Sequence, residues 1–175
     1  LSNFKLPNLE LEETDLSRLD MPDNLRLGNR LERFFSFIIQ ESDQYELLAE
    51  NLQINGKLQT IGELDFIIYD HKNKQVIHIE LGGKVYLYDL KIKEELARWI
   101  GPNRRDSLLN KTAKLRDKQF PLLYHKRSIK ILEDQDIKTD TIIQEVCFKT
   151  RLFLPFYHKI SLPPFVSKEN IKGYY

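Results

Sequence analysis

Apolar and polar positions along the chain alternate in ways that predict a helix, a run of strands, a second helix and two further strands. Leu27, Leu31, Phe34, Phe35 and Ile38 recur at the spacing of one helical face, and the spacing predicts a helix from a cap at Asp23 or Asn24 to about Gln40. Tyr45 to Ile54 is an apolar stretch that ends in the turn signal Asn55-Gly56, which predicts a strand or a helix end leading into one. Residues 60–70 and 76–88 are the strongest strand candidates, with a polar turn from Asp70 to Gln75 between them. An amphipathic segment then leads through Trp99, a core anchor by its setting, to Gly101-Pro102-Asn103. Asn103 or Asp106 is the expected cap of a helix that runs to about Gln119 and stops before Pro121. Beyond it, Ser128 to Leu132 and Glu145 to Leu154 alternate like strands, while Pro155, Pro163 and Pro164 predict an irregular tail. Residues 1–24, with Pro7 and Pro22, read as a peripheral arm on one domain spanning residues 1–175.

The hairpin between the two strong strands can be registered by counting. With a tip at Lys72-Asn73 or a four-residue loop from His71 to Lys74, Ile68 faces Ile77, Phe66 faces Ile79 and Leu64 faces Leu81, an apolar face fit for burial. The other face sets Ile67 opposite His78 and Asp65 opposite Glu80, with Glu63 adding a third negative group. Facing carboxylates repel, so a cation, a Lys or Arg, or a raised pKa must compensate. Mg²⁺ takes oxygen ligands and commonly needs only one or two carboxylates, the rest being water and substrate phosphate. An exposed face with solvated charges, or charges paired with Lys84, would need no metal. Lys84 follows Glu80 by four positions and projects to the same side of an extended strand, its α-carbon ~13 Å away. Gly82-Gly83 between them admits a bulge and a close approach of phosphate. His78 shares the acidic face as a hydrogen-bonding residue, and His71, His125 and His158 form no metal-ligand spacing.

Composition narrows the class without choosing a partner. At 175 residues, 41% hydrophobic and 30% charged, the chain has the profile of a globular domain able to bury a core. No apolar run approaches the ~20 residues of a spanning helix, and the opening residues carry no signal-peptide pattern, so no membrane partner is expected. The single cysteine, Cys147, can form neither an internal disulfide nor a Cys-based zinc site, which points to a reducing, cytoplasmic setting and a buried structural thiol. The net charge of +1 conceals an acidic opening stretch (Glu10, Glu12, Glu13, Asp15, Asp20, Asp23) and a basic one from Arg104 to Lys130. Within the latter, Lys111, Lys114 and Lys118 lie along one helical stripe that either tracks a DNA backbone or is a solvated face. Phosphate-cradling, nucleophile-elbow and dinucleotide motifs are absent.

Several strings carry a family resemblance. Glu32 on a first helix, then Gly62-Glu63-Leu64-Asp65-Phe66, then His78-Ile79-Glu80 with a following lysine, resembles the PD-(D/E)XK nuclease superfamily. More narrowly, Gly62-Glu63-Leu64-Asp65-Phe66, Glu80-Leu81-Gly82-Gly83-Lys84-Val85-Tyr86-Leu87 and Trp99-Ile100-Gly101-Pro102-Asn103 resemble an uncharacterised bacterial domain family usually assigned to that superfamily. The resemblance, from roughly Leu27 to Gln119, implies a restriction-endonuclease-like αβββαβ core, a central mixed β-sheet flanked by helices, and Mg²⁺- or Mn²⁺-dependent hydrolysis of DNA phosphodiester bonds. It implies metal ligation by Asp65, Glu80 and the Leu81 carbonyl, assistance to the attacking water by Lys84, and an accessory role for Glu32. Three residues separate Glu80 from Lys84 where the commonest pattern has one, which leaves a non-enzymatic module binding nucleic acid or protein as the alternative. Gln119 and Tyr124 resemble a Gln and a Tyr of exonuclease-like members, but their spacing differs and Pro121 intervenes, so they are set aside.

Overall fold

A computed structural model of the chain describes residues 2–12 and 17–175; Glu13 and Asp15 of the acidic opening stretch lie outside the described residues. In chain order the elements are β1 (Ser2–Asn3), α1 (Leu27–Gln40), β2 (Tyr45–Asn55), β3 (Thr60–Asp70), β4 (Gln75–Tyr88), β5 (Trp99–Ile100), α2 (Leu108–Lys114), α3 (Lys126–Glu133), β6 (Ile143–Leu154) and β7 (Ile171–Tyr174). The fold is mixed α/β. Its seven strands form a mixed sheet of order β1-β6-β4-β3-β2, with β5 beside β4 and β7 beside β6. The chain divides into two compact units, Leu1–Gly82 with Gln119–Phe148 and Gly83–Lys118 with Lys149–Tyr175. No linker marks this division in the sequence, because β4 and β6 each run from one unit into the other.

In the first unit, β3 and β4 pair antiparallel with Ile68 opposite Ile77, Ile67 opposite His78 and Phe66 opposite Ile79, the register obtained by counting. The four-residue loop His71–Lys74 closes the hairpin. Asp70 sets it by accepting the backbone N–H groups of Lys72 and Asn73 at 2.9 and 3.1 Å. Burial alone would raise the proton affinity of Asp70, but the hydrogen bonds from Asn73, Gln44 and Lys72 outweigh it and hold the carboxyl below its ordinary range. Phe66, Ile68, Ile77 and Ile79 bury one face against Phe35 and Ile39 of α1, with Phe4 and Cys147 in the same cluster. The opening residues, expected as a peripheral arm, thus supply a core aromatic, and β1 pairs in parallel with β6.

Several local expectations are corrected. Helix α1 buries Phe35, Ser36, Phe37 and Ile39, whereas Leu27 and Phe34 of the predicted stripe are exposed. Apolar residues surround this helix almost completely from Phe34 to Ile39, so periodicity alone leaves its inward face undetermined. Neither Asp23 nor Asn24 caps it; Arg26 occupies the cap position without a side-chain bond, and the Arg30 guanidinium takes up the Leu25 carbonyl at 3.0 Å. Ser128 to Leu132 is helical, part of α3, with Ser128 and Leu132 buried one turn apart and His125 Nδ1 accepting the Arg127 N–H at its start. Five residues are too few to separate a period of two from one of 3.6. The run ending at Gln119 does not stop before Pro121. After α2 it widens into a π-helical stretch, Leu115–Gln119, and then a turn, Phe120–Leu122, with Pro121 in its first positions, where no amide donor is required.

In the second unit, Ser107 rather than Asn103 or Asp106 caps α2, its Oγ accepting the Asn110 N–H at 3.1 Å. Trp99 is fully buried, edge-on to Tyr88 with ring centroids 4.8 Å apart. The expected irregular tail contains β7, paired in parallel with β6. No helix among the described residues is long and apolar enough to cross a membrane.

Candidate functional site

The pleat of β3 breaks around Asp65. Leu64 joins the cluster of Ile67, Ile54, Leu122 and Leu132 instead of the cluster that holds Phe66, so strict alternation fails between residues 64 and 67. On the neighbouring strand, between the registered pairs Glu50–Phe66 and Leu52–Leu64, Asn51 takes a left-handed backbone with φ 50°, a conformation that asparagine tolerates better than most residues. The β3–β4 ladder runs only from Asp70–Gln75 to Phe66–Ile79. There the Asp65 carboxylate takes over, accepting the Leu81 N–H at 2.8 Å and supplying a partner for this part-buried backbone donor. Gly62, at the start of the motif, fits because a Cβ would come within 2.7 Å of Leu122 Cδ2.

Two groups of side chains meet electrostatically at Asp65. The first is acidic: burial raises the proton affinity of the Glu32 carboxyl, and the negative charges of Asp65, Glu63 and Glu50 raise it further. Glu32 and Glu50 also line a cleft of about 470 Å³ with Arg18, Arg33 and Asn51. The second is a buried chain of hydrogen bonds. His78 and Glu80 are 0% and 1% exposed, and His78 Nε2 lies 3.1 Å from Glu80 Oε1. The other Glu80 oxygen, Oε2, accepts from Gln119 Nε2. Gln144 Nε2 donates to the Phe120 carbonyl at 2.9 Å and lies 3.0 Å from His78 Nδ1.

The chain of bonds fixes the protonation of the ring. A carbonyl can only accept, so the Gln144 group facing it is the NH₂, and the same NH₂ donates to His78 Nδ1. His78 is therefore neutral, with its proton on Nε2 donated to Glu80. Burial lowers its pKa from 6.5 to about 4, against a smaller upward pull from Asp65. The alternative of an exposed face with solvated charges does not hold for Glu80, which is buried with Gln119 on one oxygen and His78, itself bonded to Gln144, on the other. Gln119, set aside from the sequence, is one of its partners. Gln144 carried no signal at all, since a glutamine at the start of a strand fits any surface.

The remaining candidates belong to the second unit. Lys84 Nζ pairs with Asp106 Oδ2 at 2.8 Å, which assigns Asp106 the role of a counter-ion. Lys114 and Lys118 are exposed and Lys111 is half-buried. Tyr124, in the first unit, is exposed on the surface.

Among the described residues no group of three or more His, Cys, Asp or Glu is arranged to hold a metal ion. A cation here would draw on Asp65 and Glu80, with the Leu81 carbonyl, water and substrate completing its ligands. Hard oxygen donors suit Mg²⁺ or Mn²⁺.

No curated protein and no solved structure matches the chain. One family model matches residues 4–175, nearly the whole length, and the chain belongs to that family, Domain of unknown function (DUF1853).

Proposed function

We propose that the protein is a Mg²⁺- or Mn²⁺-dependent nuclease hydrolysing DNA phosphodiester bonds, with Asp65 and Glu80 as metal ligands and Glu32 as an accessory acid. The observation that carries this reading is the placement of Asp65. It sits just past the end of the β3–β4 ladder, bonded to the residue after Glu80, and its charge reaches Glu32 on the cleft. The element order helix, three antiparallel strands, helix, strand supports an αβββαβ core of the restriction-endonuclease type. When bound, the ion supplies Lewis-acid activation of water and of a phosphoryl oxygen. The chain's own residues supply the frame: His78 and Gln119 orient the Glu80 carboxylate, and Leu81 orients Asp65. Lys84, which the resemblance implies assists the attacking water, pairs with Asp106.

The test is cleavage of DNA by purified protein with Mg²⁺ or Mn²⁺ and with chelator. Asp65→Asn retains an acceptor for Leu81 and is expected to abolish metal-dependent cleavage with the fold intact. Cleavage that persists in the variant removes Asp65 from the mechanism.

A second reading, a nuclease-fold module that binds without cleaving, is favoured by two specific observations. Both Glu80 oxygens already accept hydrogen bonds, and Lys84 is held by Asp106. A native protein whose melting temperature does not respond to Mg²⁺ or Mn²⁺ would decide for it.

A further inference from the structure

We infer that the aromatic surface at the end of β6 and along β7 is a binding platform for single-stranded nucleic acid. Phe156, Tyr157 and Tyr174 are 66%, 90% and 61% exposed, far more than large rings usually are. They are nonetheless ordered with respect to one another. Phe156 meets Tyr157 edge-on at 5.1 Å and 89°, and Tyr174 at 6.2 Å and 85°. The backbone beneath them is pinned, since the Phe156 N–H donates to the Tyr175 carbonyl and the Tyr175 N–H to the Leu154 carbonyl, both at 2.9 Å. The rings are therefore preorganised, and a ligand that meets their exposed surface orders them at little further entropic cost.

The charge of the segment that carries the rings favours one occupant; Asp89, the acid that acts on Tyr175, is itself paired with Arg104. From Lys149 to Tyr175 the chain holds five Lys or Arg and a single acid, Glu169. Lys159 follows Tyr157 by two residues and is exposed, and Lys172 shares the outward side of β7 with Tyr174. A protein–protein interface concentrates aromatics but is depleted in lysine, and a second copy of this surface would set lysine against lysine. Rings interleaved with cations suit a polyanion with planar bases that are free to stack, which means a single strand rather than a duplex. The inference goes beyond the nuclease reading, because it concerns the second unit and needs neither metal nor cleavage.

The experiment is an anisotropy titration of the 175-residue chain with fluorescent oligo(dT), and with a duplex of the same length, in chelator. The single strand is expected to bind the more tightly. Tyr157→Ala and Tyr174→Ala are each expected to weaken it by about 5- to 100-fold, the range for loss of one stacked base. Lys172→Ala is expected to flatten the dependence of log Kd on log salt concentration by about 0.7, a change that a purely structural lysine would not produce. Tyr157 projects almost wholly into solvent, so its variant keeps the fold, and circular dichroism checks this. Absence of binding, affinity unchanged in both tyrosine variants, or self-association that Tyr157→Ala abolishes would each overturn the proposal. Binding without metal-dependent cleavage would count against the nuclease reading alone, and cleavage without binding here against this inference alone.

Discussion

Asp65 Oδ2 accepts the backbone N–H of Leu81 at 2.8 Å, at the point where the β3–β4 ladder ends. The bond ties the strand that carries Asp65 to the residue after Glu80, so the spacing of the two carboxyl groups depends on a side chain in place of a ladder bond. A carboxylate spent only on chemistry could be replaced at no structural cost. This one could not.

Asp65→Leu leaves the Leu81 N–H without its partner and is expected to lower stability by about 1–3 kcal/mol. Asp65→Asn keeps an acceptor and is expected to lose less than about 1 kcal/mol. Urea denaturation of the two variants checks the difference, and equal losses would show that the bond contributes nothing.

The buried His78 makes stability depend on pH. Its pKa is about 4 in the fold against 6.5 ordinarily, so between those values the unfolded chain takes up a proton that the folded chain refuses. The stabilisation is whole above about pH 6.5 and is lost as pH falls toward 4, by at most about 3 kcal/mol. The gap between denaturation midpoints at pH 7 and pH 5 is expected to shrink in His78→Asn. An undiminished gap would assign the dependence to other groups.

Adjacent residues of α1 separate its two faces. Phe35 is 2% exposed and 4.5 Å from the Phe66 ring between centroids, whereas Phe34 is 41% exposed. Phe35→Ala is expected to cost about 3–5 kcal/mol and Phe34→Ala less than about 1. Thermal melts of the two variants measure this directly, and the reverse order would mean that the helix faces the other way.

Gly62→Ala is expected to destabilise by about 1–3 kcal/mol, since the added methyl meets Leu122 at 2.7 Å in a packed interior. The double variant with Leu122→Val, which vacates that space, is expected to recover part of the loss. No recovery would place the cost in the backbone.

Much of the first unit is legible in the sequence because its signals are local. The β3–β4 register followed from counting around a polar loop, since a one-residue slip would turn Phe66, Ile68, Ile77 and Ile79 away from the core. β3 and β4 were legible from alternation and Asn55-Gly56 from turn chemistry, whereas β2 stayed open between a strand and a helix end, and β1 was read as part of an arm. The face of α1 was not, because residues 34–39 are apolar on nearly every side. Nor was α3, whose five-residue alternation admits two periods.

The sequence by itself determined the pairing of β3 with β4 from Asp70–Gln75 to Phe66–Ile79, because alternation and turn length are properties of neighbouring residues; the counted pairs Asp65–Glu80 and Leu64–Leu81 lie beyond the end of that ladder. Only the tertiary structure decided their surroundings: Gln119 bonded to Glu80, His78 held neutral between Gln144 and Glu80, and Lys84 drawn to Asp106. Gln119, Gln144 and Asp106 are 39, 66 and 22 residues from their partners Glu80, His78 and Lys84, and contacts at such distance are set by how buried polar groups find donors once the core has packed. No periodicity along the chain records that requirement.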